Sequence, residues 1–368
     1  MLYHLLPQFA DVHIVFNVFQ YITFRAAGAV ATALVIAFVA GPPFIRWLTR
    51  VNVGQVVRDS GPETHLKKAG TPTMGGVIII TAAVVSTLLW AELTNWYTMI
   101  ALGSLLWMGA IGFLDDYLKV VRGHPRGLVA RYKMIGQIVF GVALAGLLLW
   151  RPISPYPTTW TGVPFFSDWA AAFWAPAFVV FVAIVVAGTS NTVNLTDGLD
   201  GLAAGLAAIA AMTFGLVAYV TGRVDTSAYL GIFYLPGAGE LSIFAAALAG
   251  AASGFLWYNA HPAEVFMGDT GSLALGGAIG VMAILLKAEF LLVIAGGVFV
   301  IEGLSVILQV NWFKYTARRH GEGRRLFRMA PIHHHFEKLG WPETKVVTRF
   351  WIVGILFAMV AISTLKIR

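Results

Sequence analysis

Long apolar stretches separated by short polar connections run along nearly the whole chain. A membrane-spanning helix needs about 20 mostly apolar residues, and ten stretches of the chain come close to that length. We therefore predict ten membrane-spanning helices, at residues 22–45, 73–91, 97–114, 134–150, 170–188, 199–220, 240–257, 270–286, 289–312 and 346–365. Residues 1–21 mix apolar and polar side chains, and we interpret them as a helix at the membrane interface.

The composition is that of a protein that lies mostly in lipid. Hydrophobic residues make up 58% of the chain and charged residues only 12%, whereas about 25% charged residues is usual in soluble proteins. The chain contains no cysteine, which excludes disulfides and thiolate metal sites. The pattern and the composition together predict an all-α integral membrane protein in which residues 1–368 form a single polytopic bundle.

The basic residues predict the orientation of this bundle. Ten spans put both termini on one side, and the connections then alternate between the two sides. Lys and Arg are enriched on the cytoplasmic side of membrane proteins. One set of connections, at 46–72, 115–133, 189–198, 258–269 and 313–345, holds 18 of the 25 Lys and Arg residues, whereas the connections on the other side hold 6. We therefore predict that the first set is cytoplasmic and that both termini are periplasmic.

The unusual polar strings of the chain all belong to the predicted cytoplasmic set. They are HLKKAGTPTMGG (65–76), FLDDYLK (113–119), NTVNLTDGLDG (191–201), VFMGDTGS (265–272) and PIHHHFEKLGW (331–341). An ion-coupled transporter would need polar groups near the bilayer midplane, and only Glu302 and Gln309 fit that alternative. Carboxylates at helix ends on one face favour an enzyme with its active site at the cytoplasmic interface.

The adjacent pair Asp115 and Asp116 has two interpretations. Neighbouring residues in a helix point about 100° apart, so the two carboxylates cannot coordinate one metal in the same way. In the functional interpretation, one carboxylate faces the site and the other orients it. In the structural interpretation, the pair is a solvated helix end in which Asp115 pairs with Lys119 one turn later.

The other two acidic strings also have structural alternatives. Asn194, Asp197 and Asp200 follow one another at i,i+3 spacing, which puts each successive pair on one face if the segment is helical. A helix N-cap explains one carboxylate of this string but not the whole set. Asp269 also suits an N-cap, but free backbone amides at the start of the helix behind it would form a phosphate site.

Several carboxylates on one membrane face would repel one another, and a hard cation would remove that repulsion. Oxygen ligands without cysteine favour Mg²⁺ or Mn²⁺ over zinc. Lys68 and the run 314–328 add positive charge for an anionic substrate, although the run also suits anchoring to lipid headgroups. His333, His334 and His335 are poorly spaced for zinc, and they are either donors to phosphate or sugar oxygens or a satisfied loop cluster. These features predict an enzyme that handles a phosphorylated substrate with Mg²⁺.

The five strings together resemble the phospho-N-acetylmuramoyl-pentapeptide-transferase family, within the wider group of polyprenyl-phosphate N-acetylhexosamine-1-phosphate transferases. The resemblance covers nearly the whole chain, and GTPTMGG and PIHHHFEKLGW narrow it to this family. It implies that UDP-N-acetylmuramoyl-pentapeptide and undecaprenyl phosphate react, with Mg²⁺, to give lipid I and UMP in peptidoglycan synthesis. It also implies a homodimer among the lipids of the bacterial inner membrane, with no nucleic-acid partner.

The resemblance implies roles for individual residues of this chain. Asp269 is expected to be the main Mg²⁺ ligand and to act with the catalytic pair Asp115 and Asp116, of which Asp115 would deprotonate or orient the lipid phosphate. Leu195 and Phe266 are expected to flank the uracil. The full set of expected substrate-binding residues is Lys68, Asn194, Leu195, Asp197, Asp200, Asn259, Phe266, His333, His334 and His335.

Within that set, Lys68 and Asn259 are expected to contact the nucleotide or its phosphates, and His333 and His334 the sugar-phosphate. Two mechanisms stay open, a direct attack by the lipid phosphate and a two-step route through a phospho-enzyme. We favour direct attack, because a phosphate monoester is already largely ionised near neutral pH. A transferase that uses UDP-N-acetylglucosamine is the alternative within the enzyme class, and the HHH and GTPTMGG strings argue against it.

Overall fold

The computed structural model of the protein describes residues 1–51, 70–124, 127–166 and 170–366. Its helices are α1 (Leu2–Leu5), α2 (Ile22–Arg50), α3 (Gly76–Trp90), α4 (Trp96–Val120), α5 (Ala130–Trp150), α6 (Ala175–Thr196), α7 (Leu202–Thr221), α8 (Val224–Leu230), α9 (Leu241–Asn259), α10 (Gly268–Leu285), α11 (Glu289–Ala295), α12 (Gly297–His320), α13 (Ile332–Lys338) and α14 (Glu343–Ser363). A small hairpin of β1 (Trp160–Gly162) and β2 (Ala170–Ala172), paired antiparallel, is the sheet found among these residues.

The described residues contain nine helices that are long and apolar enough to cross a membrane. A tenth apolar helix, α3, is shorter and occupies the position of the second predicted span. Helices α4, α6, α7, α9 and α10 pack against one another, and α9 and α10 are the most buried of the nine. The structure therefore confirms an all-α polytopic membrane protein.

Two helices that lead into the polar strings are longer than predicted. Helix α4 runs to Val120 rather than to residue 114, and α6 runs to Thr196 rather than to residue 188. The hydropathy pattern ends early because the last turns carry polar side chains, while the helical backbone continues. Those side chains face other helices, and Asp115 in the last turns of α4 is completely buried.

Two further predictions are wrong in detail. The predicted span 289–312 is interrupted at Gly296, which separates α11 from α12, and consecutive glycines have a low helix propensity. Residues 1–21 form α1 and two 3₁₀ turns, Leu6–Phe9 and Ile14–Gln20, instead of one interfacial helix. Pro7 prevents a continuous α-helix here, because it lacks the backbone N–H that an interior position requires.

Both termini lie on the same face of the bundle. The amino group of Met1 donates to the carbonyl of Leu88 near the end of α3, at 2.7 Å. The ammonium of Lys366 donates to the carbonyl of Tyr229 in α8, at 2.6 Å. Asp115 lies near the end of α4 and Asp269 in the first turn of α10, and both are at the end of the bundle away from the termini. The polar strings therefore share this second face, which the basic residues predict to be cytoplasmic.

A buried ion pair joins α2 to the start of α9 on the face that carries the termini. Two guanidinium nitrogens of Arg25 donate to the carboxylate of Glu240 at 2.8 and 2.6 Å, and both side chains are almost fully buried. The same carboxylate accepts from the backbone N–H of Glu92, and Arg25 also donates to the carbonyl of Trp90. The pair therefore connects three helices at one end of the bundle.

Replacing Glu240 with glutamine is expected to lower the free energy of unfolding by about 3 kcal/mol, because removing one partner leaves a buried charge uncompensated. Thermal unfolding of the purified protein in detergent measures this change. Asp225→Asn is the control, since Asp225 pairs with Arg223 on the exposed surface and such pairs contribute little. Equal melting temperatures for the two variants would contradict a stabilising role for the buried pair.

Candidate active site

Asp269, in the first turn of α10, lies where four helices meet. Its carboxylate accepts a hydrogen bond from Lys133 of α5 at 2.7 Å and one from Asn194 of α6 at 2.9 Å. The ammonium of Lys119, on α4, lies 3.5 Å from the same carboxylate. Side chains that are far apart in the sequence therefore converge on this one acidic group.

Asp115 of α4 is completely buried beside Asp269. It forms an ion pair with Lys119 one turn later, and its Oδ1 lies 3.3 Å from the ammonium of Lys133. The backbone N–H of Leu128 donates to the same oxygen at 2.7 Å. Lys119 and Lys133 each lie between the carboxylates of Asp115 and Asp269. The predicted pairing of Asp115 with Lys119 is therefore present, and Asp115 also belongs to the group that converges on Asp269.

Asp116 points to a different target from its neighbour, as expected for adjacent helical residues. Its carboxylate accepts hydrogen bonds from the backbone N–H groups of Asp269 and Thr270 at 3.2 and 2.9 Å, and from the Thr270 hydroxyl at 2.6 Å. Asp116 therefore caps the N-terminus of α10 from a neighbouring helix. The prediction of free amides behind Asp269 is wrong for these two N–H groups, because a carboxylate on α4 already binds them.

The carboxylates come together because α4 and α10 touch at the level of the backbone. Gly112 lies one turn before Asp115 and Asp116, and a Cβ atom there would overlap the carbonyl oxygen of Asp269 and lie 2.6 Å from the Thr270 nitrogen. Oxygens of the three aspartates lie within 4.8 Å of one another. A compact set of hard oxygen donors without cysteine fits Mg²⁺.

The end of α6 forms one wall of this site. The side-chain amide of Asn194 donates both to Asp269 and to the hydroxyl of Ser272, the latter at 2.8 Å. Asp197 follows the last helical residue, and burial together with the negative charges of Asp269, Asp116 and Asp200 raises its pKa to about 8. A bound cation would offset this accumulation of negative charge.

The predicted helical spacing of Asn194, Asp197 and Asp200 is wrong beyond Thr196, because α6 ends there. Helix α7 begins only at Leu202, and no side chain caps it. The N-cap alternative for this string is therefore wrong as well.

Asp200 and Asn259 hold the chain segments around this wall together. Asp200 accepts a hydrogen bond from the backbone N–H of Ala263 at 3.2 Å and lies 3.1 Å from the imidazole of His261. The amide of Asn259 accepts from the backbone N–H of Gly201 at 3.0 Å and donates to the carbonyl of Val265 at 2.9 Å. Contact of these two side chains with a nucleotide stays a prediction.

Two of the three consecutive histidines reach the wall. The Nδ1 atom of His333 lies 3.1 Å from a carboxylate oxygen of Glu302, and Nδ1 of His334 lies 2.6 Å from a carboxylate oxygen of Glu337. The Nε2 atoms of both rings lie against Gly198. His335 instead accepts a hydrogen bond from the backbone N–H of Arg328 at 3.1 Å, so it supports the loop before α13.

Comparison with known proteins connects this geometry to a family. The model of glycosyl transferase family 4 matches residues 97–287, which include all three acidic strings, and the phospho-N-acetylmuramoyl-pentapeptide-transferase signature 1 matches residues 68–80. Proteins with the name phospho-N-acetylmuramoyl-pentapeptide-transferase from Gemmatimonas aurantiaca, Desulfatibacillum aliphaticivorans and Thermodesulfovibrio yellowstonii are 56%, 55% and 49% identical to this chain. Each of these alignments covers 100% of both chains.

The chain belongs to the phospho-N-acetylmuramoyl-pentapeptide-transferase family. Membership of this transferase family and the nine long apolar helices in the described part of the chain make it a multi-pass protein of the bacterial inner membrane. The full-length relatives also extend the match beyond the family 4 region, to the histidine string 331–341.

Three residues that are expected to contact the nucleotide remain: Leu195, Phe266 and Lys68. Leu195 is half-buried and directly follows Asn194, and Phe266 is half-buried in the loop that leads to Asp269. The backbone of Phe266 is fixed on both sides, because its N–H donates to the carbonyl of Pro72 and its carbonyl accepts from Gly75, each at 2.8 Å. Lys68 lies outside the described residues, so its contact with the nucleotide stays a prediction.

Lys133 is a member of the site that the sequence analysis missed. It lies one residue before the predicted span 134–150 and belongs to none of the five polar strings. The available signal was the i,i+4 spacing of Lys133 and Gln137 on an otherwise apolar helix. Gln137 is completely buried and accepts a hydrogen bond from Asn191 at 2.6 Å, so this polar stripe of α5 faces α6.

Replacing Gly198 with alanine is expected to lower the transferase kcat about 100-fold, since a displacement of about 1 Å in a catalytic site has that effect. The added Cβ would overlap Nε2 of His333 and lie 3.2 Å from Nε2 of His334, so both rings would have to move. Gly188→Ala in α6 is the matched control, because nothing lies within 4 Å of its Cβ position. A Gly198→Ala enzyme as active as this control would show that the rings are not needed at this position.

Proposed function

We propose that this protein transfers phospho-N-acetylmuramoyl-pentapeptide from UDP-N-acetylmuramoyl-pentapeptide to undecaprenyl phosphate, which gives lipid I and UMP. The observation that carries the proposal is the convergence of Asp115, Asp116 and Asp269 at one end of the bundle. These carboxylates lie in a chain that is 56% identical, over its full length, to a protein named for this reaction. A site at the end of the helices allows one substrate to enter from water and the other from lipid.

The carboxylate cluster is suited to hold Mg²⁺, with Asp269 as the expected main ligand. The bound ion would neutralise charge on the donor diphosphate. Asp116 contributes indirectly, because its three hydrogen bonds hold the start of α10 and therefore the backbone of Asp269. Lys119 and Lys133 add positive charge beside the same carboxylates and can pair with phosphate oxygens of a bound substrate.

The reaction is proposed to be a single displacement. An oxygen of the lipid phosphate forms a bond to the β-phosphorus of the donor, and the bond from that phosphorus to the bridging oxygen breaks, so that UMP leaves. Asp115 is proposed to orient the incoming phosphate and to accept its proton if the monoester arrives protonated. The nucleotide is proposed to lie along the wall of Asn194 and Asp197, near Leu195 and Phe266.

The structure also bears on the transporter alternative. Glu302 lies beside His333, and Gln309 accepts hydrogen bonds from the backbone N–H groups of Leu326 and Phe327 at 3.0 and 2.8 Å. The two polar groups within α12 therefore bind the segment between α12 and α14. This arrangement favours a role in shaping the enzyme site over a role in an ion pathway.

Release of UMP by the purified protein tests the proposal. The mixture contains UDP-N-acetylmuramoyl-pentapeptide, undecaprenyl phosphate and Mg²⁺, with EDTA, omission of the lipid and UDP-N-acetylglucosamine as controls. UMP release that requires both substrates and the metal is the expected result. Release only from the N-acetylglucosamine donor would indicate the related transferase, and no release from folded protein would refute the enzyme assignment.

A homodimer is part of the same proposal. Exposed apolar side chains on α5, α12 and α14 have access to lipid or to a second copy, and Ile135, Val139 and Val142 are examples on α5. Native mass spectrometry of the protein released from detergent would give its oligomeric state directly.

A further inference from the structure

Glu302 is a fully buried carboxylate within the membrane-spanning helix α12. Ionisable groups in such helices are costly and face a partner inside the protein. One oxygen of Glu302 lies 3.1 Å from Nδ1 of His333, whose side chain is also completely buried. Among the described residues, neither carboxylate oxygen has a conventional hydrogen bond, so the His333 imidazole is the polar group that this carboxylate faces.

The other nitrogen of His333 is directed at the wall of the active site. Its Nε2 atom lies against Gly198, the residue after Asp197, and has no hydrogen-bond partner among the described residues. A buried polar atom without a partner is costly. A ligand at the wall would supply that partner, and for a ring that carries hydrogen on both nitrogens the matching group is an anionic oxygen.

His334 repeats the arrangement of His333. Its Nδ1 lies 2.6 Å from Glu337, and its Nε2 is also directed at Gly198. A carboxylate at Nδ1 holds the N–H on that nitrogen and fixes the orientation of the ring. Both rings therefore have the same orientation, with the carboxylate on one side and the wall on the other.

Helix α12 is well placed to fix His333, because it packs directly against α6, the helix that ends at the wall. Helix α13, which carries the histidines, is only seven residues long and contacts α12 and α14. A short helix between two connecting loops needs an anchor if its side chains are to hold one position. The Glu302 carboxylate supplies that anchor from a long helix of the bundle.

We infer that Glu302 is a positioning residue, which holds the His333 imidazole so that Nε2 faces the diphosphate of the UDP-linked donor and donates to it when both ring nitrogens carry hydrogen. The inference rests on the proposed function and assigns a part in that reaction to a residue outside the five polar strings. Glu302 does not itself reach the substrate. Its effect passes through the orientation of one ring.

Steady-state kinetics of UMP release test this role. Glu302→Gln keeps the side-chain shape, removes the charge, and is expected to lower kcat about 10- to 100-fold with a smaller change in KM, as is typical when the carboxylate behind a functional histidine is lost. Glu302→Asp keeps the charge on a shorter side chain and should retain more activity. Asp225→Asn, at an exposed position on the face that carries the termini, is the control and should match the wild type.

A double-mutant cycle separates positioning from general support of the fold. If Glu302 acts through His333, adding Glu302→Gln to a His333→Asn enzyme should cause no further loss of kcat. Multiplicative losses, or an unchanged kcat in the Glu302→Gln enzyme, would overturn the inference. Should Glu302→Gln fail to fold, Glu302→Asp replaces it in the same cycle, with the same expected result.

Nitrogen-15 spectra of histidine-labelled protein give a readout that does not depend on turnover. The ring signals of His333, identified by their loss in His333→Asn, should shift in Glu302→Gln and stay unchanged in Asp225→Asn. Unchanged signals in Glu302→Gln would overturn the pairing. If the wild type releases no UMP, the proposed function fails while these spectra still decide whether Glu302 controls the ring.

Discussion

Asp269→Asn is expected to lower the kcat of UMP release about 1000-fold or more. A metal ion at a phosphoryl group contributes several kcal/mol of transition-state stabilisation, and about 4 kcal/mol corresponds to a factor of 1000. Asparagine keeps the size of the side chain but removes the negative charge that Asn194, Lys119 and Lys133 surround. The fold should persist, because the cap that Asp116 provides for α10 involves the backbone of residue 269 and not its side chain.

The measurement is UMP release over a Mg²⁺ titration, together with Mn²⁺ binding followed by electron paramagnetic resonance. The wild type should show saturable metal dependence and tight Mn²⁺ binding, and Asp269→Asn should lose both. Asp225→Asn, at an exposed position on the face that carries the termini, is the matched control for removing one carboxylate. An Asp269→Asn enzyme with normal metal dependence would refute the assignment of Asp269 as the main ligand.

Asp115→Asn is expected to lower kcat about 100-fold or more, which is the range in which a positioned proton acceptor contributes. The substitution also leaves Lys119 and Lys133 with one carboxylate between them instead of two, so the charge around the lipid phosphate changes. Asp225→Asn again serves as the control, and equal kcat values for the two variants would exclude a catalytic role for Asp115.

A further measurement on Asp115→Asn separates the two mechanisms. Donor labelled with ³²P in the β-phosphate is mixed with wild-type enzyme without the lipid. Direct attack predicts no label on the protein and no UMP, whereas a phospho-enzyme route predicts both. Label that appears in the wild type and is absent from Asp115→Asn would identify this aspartate as a nucleophile.

The bundle could be predicted from the sequence because lipid imposes a simple rule on composition. Apolar stretches of about 20 residues located the spans found among the described residues, of which α3 alone falls short of the usual length. The errors lie where helices continue past the apolar stretch, as in the last turns of α4 and α6. At those positions the surroundings are protein instead of lipid, and hydropathy no longer reports whether the backbone is helical.

The acidic members of the site could also be predicted, since carboxylates are rare and stand out beside membrane spans. Their individual tasks could not. Asp115 and Asp116 are identical in type and adjacent, yet one faces two lysines and the other caps α10, and this division depends on how closely two distant helices approach. Lys133 was missed for a related reason, because a single lysine at a helix end usually indicates only the cytoplasmic side.

Gly112 has a consequence for the way this protein would respond to comprehensive mutagenesis. It has no functional group, yet any larger side chain would separate α4 from α10 where the aspartates meet. A deep mutational scan for cell survival would therefore rank this position beside the aspartates, although nothing at residue 112 takes part in the chemistry. Metal-binding data would separate substitutions at the aspartates from substitutions at Gly112. A substitution at an aspartate changes the charge of the site, whereas a substitution at Gly112 changes the spacing of the two helices. A smaller residue on the facing helix could restore that spacing.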